Sequence, residues 1–253
     1  MLWTVIRQTQ WRPFLDLMSP SFFRVVPAGP LLAELRRLLA LFRSAPDFDR
    51  AIDHRRLTLE RAGLPIRIGT GAPPLISAST NAALRGQRVL ELYFHQVFSD
   101  GLTLLDLRRD RFSEEGGALV WTPSGALAEW SPAFRAAVQA LYRGFYQSDD
   151  ALFREGLGAL GLSDAEAEIR SQFGEGQQRA VRFSLKDFQQ KFHDVFVRCQ
   201  ETGSSIDIGF LPLGLYLATL YEHLEALGEP FDARAAFEAA TQAGPSSARA
   251  AAG

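Results

Sequence analysis

Cysteine and lysine are nearly absent from this sequence, and each scarcity excludes a class of function. Cys199 is the only cysteine, so an internal disulfide and a cysteine-based zinc site are excluded, and we expect a buried, inert thiol. Lys186 and Lys191 are the only lysines, and the net charge of −2 leaves no basic excess to neutralise phosphates. We therefore expect no nucleic-acid partner. Arginine in place of lysine, with much Ala, Gly and Leu, is typical of a G+C-rich bacterial genome.

Long apolar runs and secretion signals are also missing. The sequence has no run of 18 apolar residues, so no membrane-spanning helix is predicted. Residues 1–10 have no basic start ahead of an apolar stretch, so no signal peptide is predicted. The expected location is cytoplasmic, with a peripheral position on the inner membrane as an alternative.

Familiar catalytic patterns are absent as well. No His-x-x-x-His or His-x-x-Glu-His pair occurs, and each histidine falls on a separate predicted helix. The four histidines are His54, His95, His193 and His223. No Gly-x-Ser-x-Gly elbow for a nucleophilic serine is present either. We expect no metal site, no cofactor and no hydrolase chemistry.

What is present indicates a mainly α-helical protein. A chain of 253 residues with 47% apolar residues can bury one sizeable core. Residues 1–80 are predicted to form an N-terminal helical extension, and residues 81–242 the main helical domain. Residues 243–253 are rich in Ala, Gly, Ser and Pro and are predicted to be a disordered tail.

The first 45 residues are basic and aromatic, with six arginines against Asp16 and Glu34. Leucines from Leu31 to Leu39 recur at helical spacing after Pro30, which predicts an amphipathic helix. Such a helix is expected either to lie on an anionic membrane or partner surface, or to pack on the core with solvated arginines. The residues predicted for the surface role are Trp3, Arg7, Trp11, Arg36, Arg37 and Arg43.

The segment between two predicted helices, 90–98 and 132–145, contains the strongest pattern. A strand-like run, 102–105, and a second strand, 118–122, flank a Gly-rich turn at 114–117, which predicts a short β-hairpin over about 102–122. The preceding segment, 66–79, is rich in Gly, Pro, Ser and Thr and is predicted to be a connecting loop.

Asp106 ends the first strand-like run, at a position where a catalytic acid is often displayed. Arg108, Arg109 and Arg111 follow within five residues. They are predicted either to form an anion-binding surface or to hold Asp106 in salt bridges within the loop. The sequence leaves both interpretations open.

This segment resembles the AarF/UbiB family of atypical kinase-like proteins, which act around ubiquinone and lipid metabolism. The resemblance covers residues 83–237. In the family a helix ending in a Gln-Val-Phe-like run precedes a His-Ala-Asp-x-His-Pro-Gly-Asn catalytic loop, and here Gln96–Gly101 and Leu104–Arg111 take those places. A hairpin, an Asp-Phe-Gly motif and a Leu-Ser-Pro-like helix start follow, where this chain has Leu119–Gly125 and Trp130–Arg135. The resemblance implies a kinase-C-lobe-like helical domain.

The departures from the family pattern imply that catalysis is lost. Only Asp106 is kept from the catalytic loop and only Gly125 from the metal-binding motif. Arg111 stands at the place of a magnesium-binding Asn, and Pro123 at the place of the metal-binding Asp. Phosphoryl transfer needs metal ions that neutralise charge on the β- and γ-phosphates, and neither residue supplies a ligand.

The functional prediction is therefore a non-catalytic, pseudokinase-like binding or scaffold module. Its expected partners are another protein, a hydrophobic or isoprenoid-like small molecule held in a groove between helices, or a membrane surface. Two alternatives remain open. One is a residual enzyme that uses Asp106 on an anionic substrate gripped by the neighbouring arginines, and the other is a structural subunit of a larger assembly.

Overall fold

The structure is a computed structural model, which describes residues 25–69, 81–173 and 180–242. Within these ranges the chain is mainly helical, as the sequence predicts. The helices are α1 (Ala28–Phe42), α2 (Ala45–Arg61), α3 (Ala82–Val97), α4 (Pro132–Tyr146), α5 (Asp150–Ala159), α6 (Glu166–Phe173), α7 (Leu185–Thr202), α8 (Phe210–Leu227) and α9 (Ala233–Gln242). The predicted tail, 243–253, lies outside the described residues.

Local sequence signals account for where most helices begin and end. Six helices follow a residue whose side-chain oxygen accepts a hydrogen bond from the backbone N–H three residues later, which satisfies a donor that the first turn leaves free. These residues are Ser44, Asn81, Ser131, Asp149, Ser184 and Asp232. Helices α7 and α8 end at Gly203 and Gly228, whose φ angles of 69° and 72° are left-handed and favour glycine.

The strands are short and form three small sheets. They are β1 (Ile66–Ile68), β2 (Thr103–Leu104), β3 (Phe112–Glu115), β4 (Ala118–Trp121), β5 (Leu127–Ala128), β6 (Val181–Arg182) and β7 (Pro230–Phe231). The largest sheet has the order β1-β4-β3, with β1 parallel and β3 antiparallel to β4. Residues 66–68 are thus a strand, where the sequence predicted a connecting loop.

The predicted hairpin is present at its turn but wrong in its first strand. Gly116 and Gly117 have φ angles of 59° and 79°, as a two-residue hairpin turn requires. The strand that precedes this turn is β3, whereas the predicted run at 102–105 contributes β2 and pairs antiparallel with β5. Residues 112–115 were missed because Phe-Ser-Glu-Glu has no apolar alternation, and only Phe112 stacks on the ring of Trp121 across the ladder.

One hydrophobic core joins the helices on both sides of the predicted boundary at residue 80. Leu31 and Leu38 of α1 and Leu59 of α2 are buried in the same cluster as the aromatic side chains of α3, α4 and α9. Each fully buried large apolar side chain contributes about 1.5–3 kcal/mol. Glycine allows one close approach, since a Cβ on Gly144 of α4 would lie 2.3 Å from the backbone nitrogen of Phe153 in α5.

Candidate functional site

Hydrogen bonds from side chains of α8 and β4 to backbone groups hold the loop after β2 in place. The Thr219 hydroxyl of α8 donates to the Leu105 carbonyl and accepts from the Leu107 N–H, at 2.8 and 3.2 Å. The Trp121 indole N–H donates to the Asp106 carbonyl at 3.1 Å, and His223 Nδ1 donates to the Leu107 carbonyl at 2.9 Å. Buried polar groups are normally paired in this way, and here the pairs hold residue 106 inside the protein.

Asp106 is fully buried and neutralised by two arginines. Arg108 donates to both carboxylate oxygens, from Nε at 2.8 Å and from Nη2 at 2.7 Å. Arg111 adds a third contact, with its Nε 3.1 Å from Oδ2. Burial lowers the pKa of Arg108, but the hydrogen bonds and charge of Asp106 outweigh that effect and raise it overall. The structure therefore contains the salt bridges within the loop that were one of the two interpretations of the sequence.

This geometry also shows where the three arginines that were predicted to bind an anion lie. The side chains of Arg108 and Arg111 are each 11% exposed and are engaged with Asp106, so they do not form an anion-binding surface. Arg109 is half-buried, and its backbone N–H donates to the carboxylate of Glu222 at 3.3 Å. Asp106 has no exposed atom from which to act on a substrate, because its side chain is 0% exposed.

Across residues 25–69, 81–173 and 180–242, no three His, Cys, Asp or Glu side chains are close enough together to hold a metal ion. Cys199 is buried in the core, and burial raises the pKa of its thiol to about 11. The inert role predicted for this cysteine is consistent with that placement.

A cavity of about 450 Å³ opens between α1, the start of α4 and the start of α8. Its apolar lining comes from Trp130, Pro132, Phe134 and Ile208. Because these side chains are contributed by segments far apart in the chain, the cavity has no local sequence signature. For this apolar lining, the sequence predicts only the helix start in the Trp130–Pro132 segment.

Trp130 is the floor of the cavity, and it carries one buried polar atom without a hydrogen-bond partner. The residue is 4% exposed, its ring lies 6.1 Å from that of Phe134, and its indole Nε1 is buried without an acceptor. The guanidinium of Arg135 covers the indole at 5.5 Å from the ring centroid. An unpaired buried N–H of this kind costs free energy.

The rim of the cavity carries more negative than positive charge. Glu34, Glu129 and Asp207 contribute carboxylates, and Arg37 is the cation that lines it with them. Arg37 donates to both oxygens of Glu34, at 2.8 and 2.7 Å, and lies 3.7 Å from the carboxylate of Glu129. The hydrogen bond to Glu34 is the main reason that the pKa of Arg37 is raised. The side chain of Glu129 is 67% exposed.

The predicted surface residues of the N-terminal region fall into three groups. Trp3, Arg7 and Trp11 lie outside the described residues. Arg36 and Arg43 are exposed. Arg37 is 38% exposed and lies at the cavity rim, where it donates to the Glu129 carbonyl at 2.7 Å as well as to Glu34.

No protein-family model matches the chain, and no curated protein is similar to it in sequence. Among the described helices, none combines the length and the apolar character needed to cross a membrane.

Proposed function

We propose that this chain is a non-catalytic binding module whose cavity above Trp130 accepts an apolar group with a cationic end. A partner protein offers such a group in a lysine or arginine side chain beside apolar residues, and an amphiphilic amine offers it as a small molecule. The observation that carries the proposal is an apolar lining that lies beside three carboxylates and one arginine.

Charge favours one ligand class over the others. A neutral isoprenoid would cover the apolar floor but would leave the acidic rim unmatched. A carboxylate or phosphate ligand would meet the excess negative charge of Glu129 and Asp207. A cation next to an apolar body matches both the apolar floor and the acidic rim, because complementary charge favours association and like charge disfavours it.

The test is a titration of tryptophan fluorescence with three ligands of similar size: phenethylammonium, its neutral alcohol and phenylpropionate. Only the cation is expected to bind well, and Trp130→Phe should remove the signal. Glu129→Gln should weaken binding several-fold, since an exposed charge contact contributes about 0.2–1 kcal/mol.

Glu115→Gln is the matched control, because Glu115 is 63% exposed and lies 3.4 Å from Arg67 on the far hairpin. It should bind the cation as the wild type does. Equal affinity for the three ligands, or equal effects of the two glutamine variants, would contradict the proposal.

The pseudokinase-like role implied by the AarF/UbiB resemblance is a proposal of the same non-catalytic kind. It predicts no stabilisation by magnesium-ATP, because Asp106 is held by Arg108 and Arg111. The rival role, a residual enzyme, predicts a magnesium-dependent rise in Tm of the wild type. The wild-type measurement decides, since Asp106→Asn also disrupts the buried ion pairs and would lower Tm in either case.

A further inference from the structure

A second buried cationic region lies around Arg55 of α2, away from Asp106. Arg55 is 0% exposed, and its Nη2 donates to the Leu102 carbonyl over a long 3.4 Å. Its Nε and Nη1 are buried without any acceptor. Since Nε carries one N–H and Nη1 carries two, three of the five guanidinium donors are unpaired.

The charge of Arg55 is not neutralised by any carboxylate among the described residues. The charged side chain that acts on it is Arg135, a second buried cation, which donates to the carbonyls of Ser99 and Gly101. Burial lowers the pKa of Arg55 to about 10, with Arg135 adding to the effect, so the guanidinium keeps its proton at neutral pH. An uncompensated buried charge costs several kcal/mol, and a counter-ion removes that cost.

Two more polar groups in this region lack partners. His95 of α3 is buried, with Nε2 unpaired, and lies close enough to Arg55 for the guanidinium charge to help lower its pKa to about 4, after burial itself. Thr103 is 0% exposed with Oγ1 unpaired, and it follows Leu102, which accepts the Arg55 hydrogen bond. The free groups are hydrogen-bond donors or neutral groups able to donate.

We propose that Arg55, His95 and Thr103 form an internal site for one small monovalent anion, either a halide or a carboxylate of the size of formate. The anion supplies the negative charge that balances the Arg55 guanidinium. It also accepts hydrogen bonds from donors that otherwise have no acceptor. The enclosed position of Arg55 limits the ligand to a few atoms. Arg55, His95 and Thr103 do not line the cavity beside Trp130.

Anion-dependent stability tests the site. Thermal unfolding is followed in sodium chloride, sodium bromide, sodium formate and sodium gluconate at one ionic strength, gluconate being too large to enter. An anion that binds with a Kd of about 10 mM would raise Tm by roughly 3–5 °C at 100 mM. A difference between chloride or bromide and formate shows which class of anion the site takes.

Arg55→Met should abolish the difference between the small anions and gluconate. Arg154→Met is the control, since Arg154 is 63% exposed and pairs with Glu166 at the surface, and it should keep the wild-type response. If Arg55→Met fails to fold, crystals of the wild type grown in bromide decide the question by anomalous scattering. A bromide peak or trigonal formate density against Arg55 supports the site. Equal Tm values in all four salts, or water alone at Arg55, would overturn it.

Discussion

Two buried arginine clusters in this molecule solve the same electrostatic problem differently. Around Asp106, two guanidinium groups share a carboxylate that lies only two and five residues away in the sequence. Around Arg55, the guanidinium comes from α2 and the charged side chain that acts on it is another arginine. The comparison shows that a buried charge is compensated where a carboxylate lies close to it in the chain, whereas the charge of Arg55, on a separate helix, has no carboxylate among the described residues to balance it.

A buried histidine in each cluster repeats the contrast. His223 uses both ring nitrogens, since Nδ1 donates to the Leu107 carbonyl and Nε2 accepts from Arg85 Nε at 3.2 Å. This arrangement fixes a neutral ring with its proton on Nδ1. His95, beside Arg55, has an unpaired Nε2. One cluster is internally complete and the other is open to a ligand.

The largest predicted effect comes from breaking the complete cluster. Asp106→Asn removes the carboxylate that the nearly buried Arg108 and Arg111 share, although Arg111 keeps its contact with Asp110 at 3.5 Å. Loss of one partner of a buried ion pair costs about 3–5 kcal/mol. Urea denaturation at pH 7 should show a decrease of that size in the free energy of unfolding.

The control for this variant is Asp150→Asn, because Asp150 is 66% exposed and pairs with Arg170 at 2.8 Å. An exposed pair contributes about 0–1 kcal/mol, so its loss should be small. Equal destabilisation by the two variants would show that the Asp106 cluster is not the compensated site described here.

The sequence allowed the Asp106 cluster to be predicted because its charges are neighbours along the chain. An acid followed by three arginines within five residues admits few arrangements, and salt bridging within the loop was one of the two expected. The helix starts at Ser131, Asp149 and Ser184 are local in the same way, since a cap depends on one residue and the turn that follows it.

The remaining features depend on contacts between distant segments. The strand at 66–68 pairs with β4 more than fifty residues later, and β2 pairs with β5 rather than with β4. No pattern within either strand specifies such a partner, because short apolar runs fit several registers. The cavity above Trp130 and the isolation of Arg55 are likewise properties of packing that a local pattern does not contain.

The second prediction uses pH to compare the two buried histidines. Burial is the main cause of a pKa of about 3 for His223 and about 4 for His95. In the unfolded chain each takes up a proton near pH 6.5. Between that pH and the folded pKa the unfolded state binds more protons, so acid lowers the free energy of unfolding by about 1.4 kcal/mol per pH unit for each histidine.

The anion dependence of these slopes distinguishes the clusters. Urea midpoints between pH 6.5 and 4.5 are compared for the wild type, His95→Gln and His223→Gln, and each substitution should reduce the slope. A small anion beside His95 favours its charged form, so the His95 contribution should be smaller in chloride than in gluconate. The His223 contribution should be the same in both salts. If chloride changed the contribution of His223 and not that of His95, the anion site would lie beside His223 and the comparison would be wrong.

The smallest predicted effect separates two adjacent arginines of α1. Arg37 pairs with Glu34, whose side chain is 8% exposed, whereas Arg36 is exposed. Arg37→Met leaves that carboxylate nearly buried and unpaired, which should cost about 1 kcal/mol after allowance for the partial exposure of Arg37. Arg36→Met should change stability by less than about 0.5 kcal/mol. Urea denaturation of both variants at pH 7 measures the difference.

The same pair tests the predicted membrane contact. An arginine that binds anionic lipid must be free to leave the protein surface, so Arg36→Met should weaken co-sedimentation with anionic vesicles and Arg37→Met should not. Deletion of residues 1–45 is a poor test, because it removes Leu31 and Leu38 from the core; deletion of residues 1–24 leaves α1 in place. If the full chain does not bind such vesicles, or if Arg37→Met weakens binding more than Arg36→Met, α1 serves the cavity rim alone.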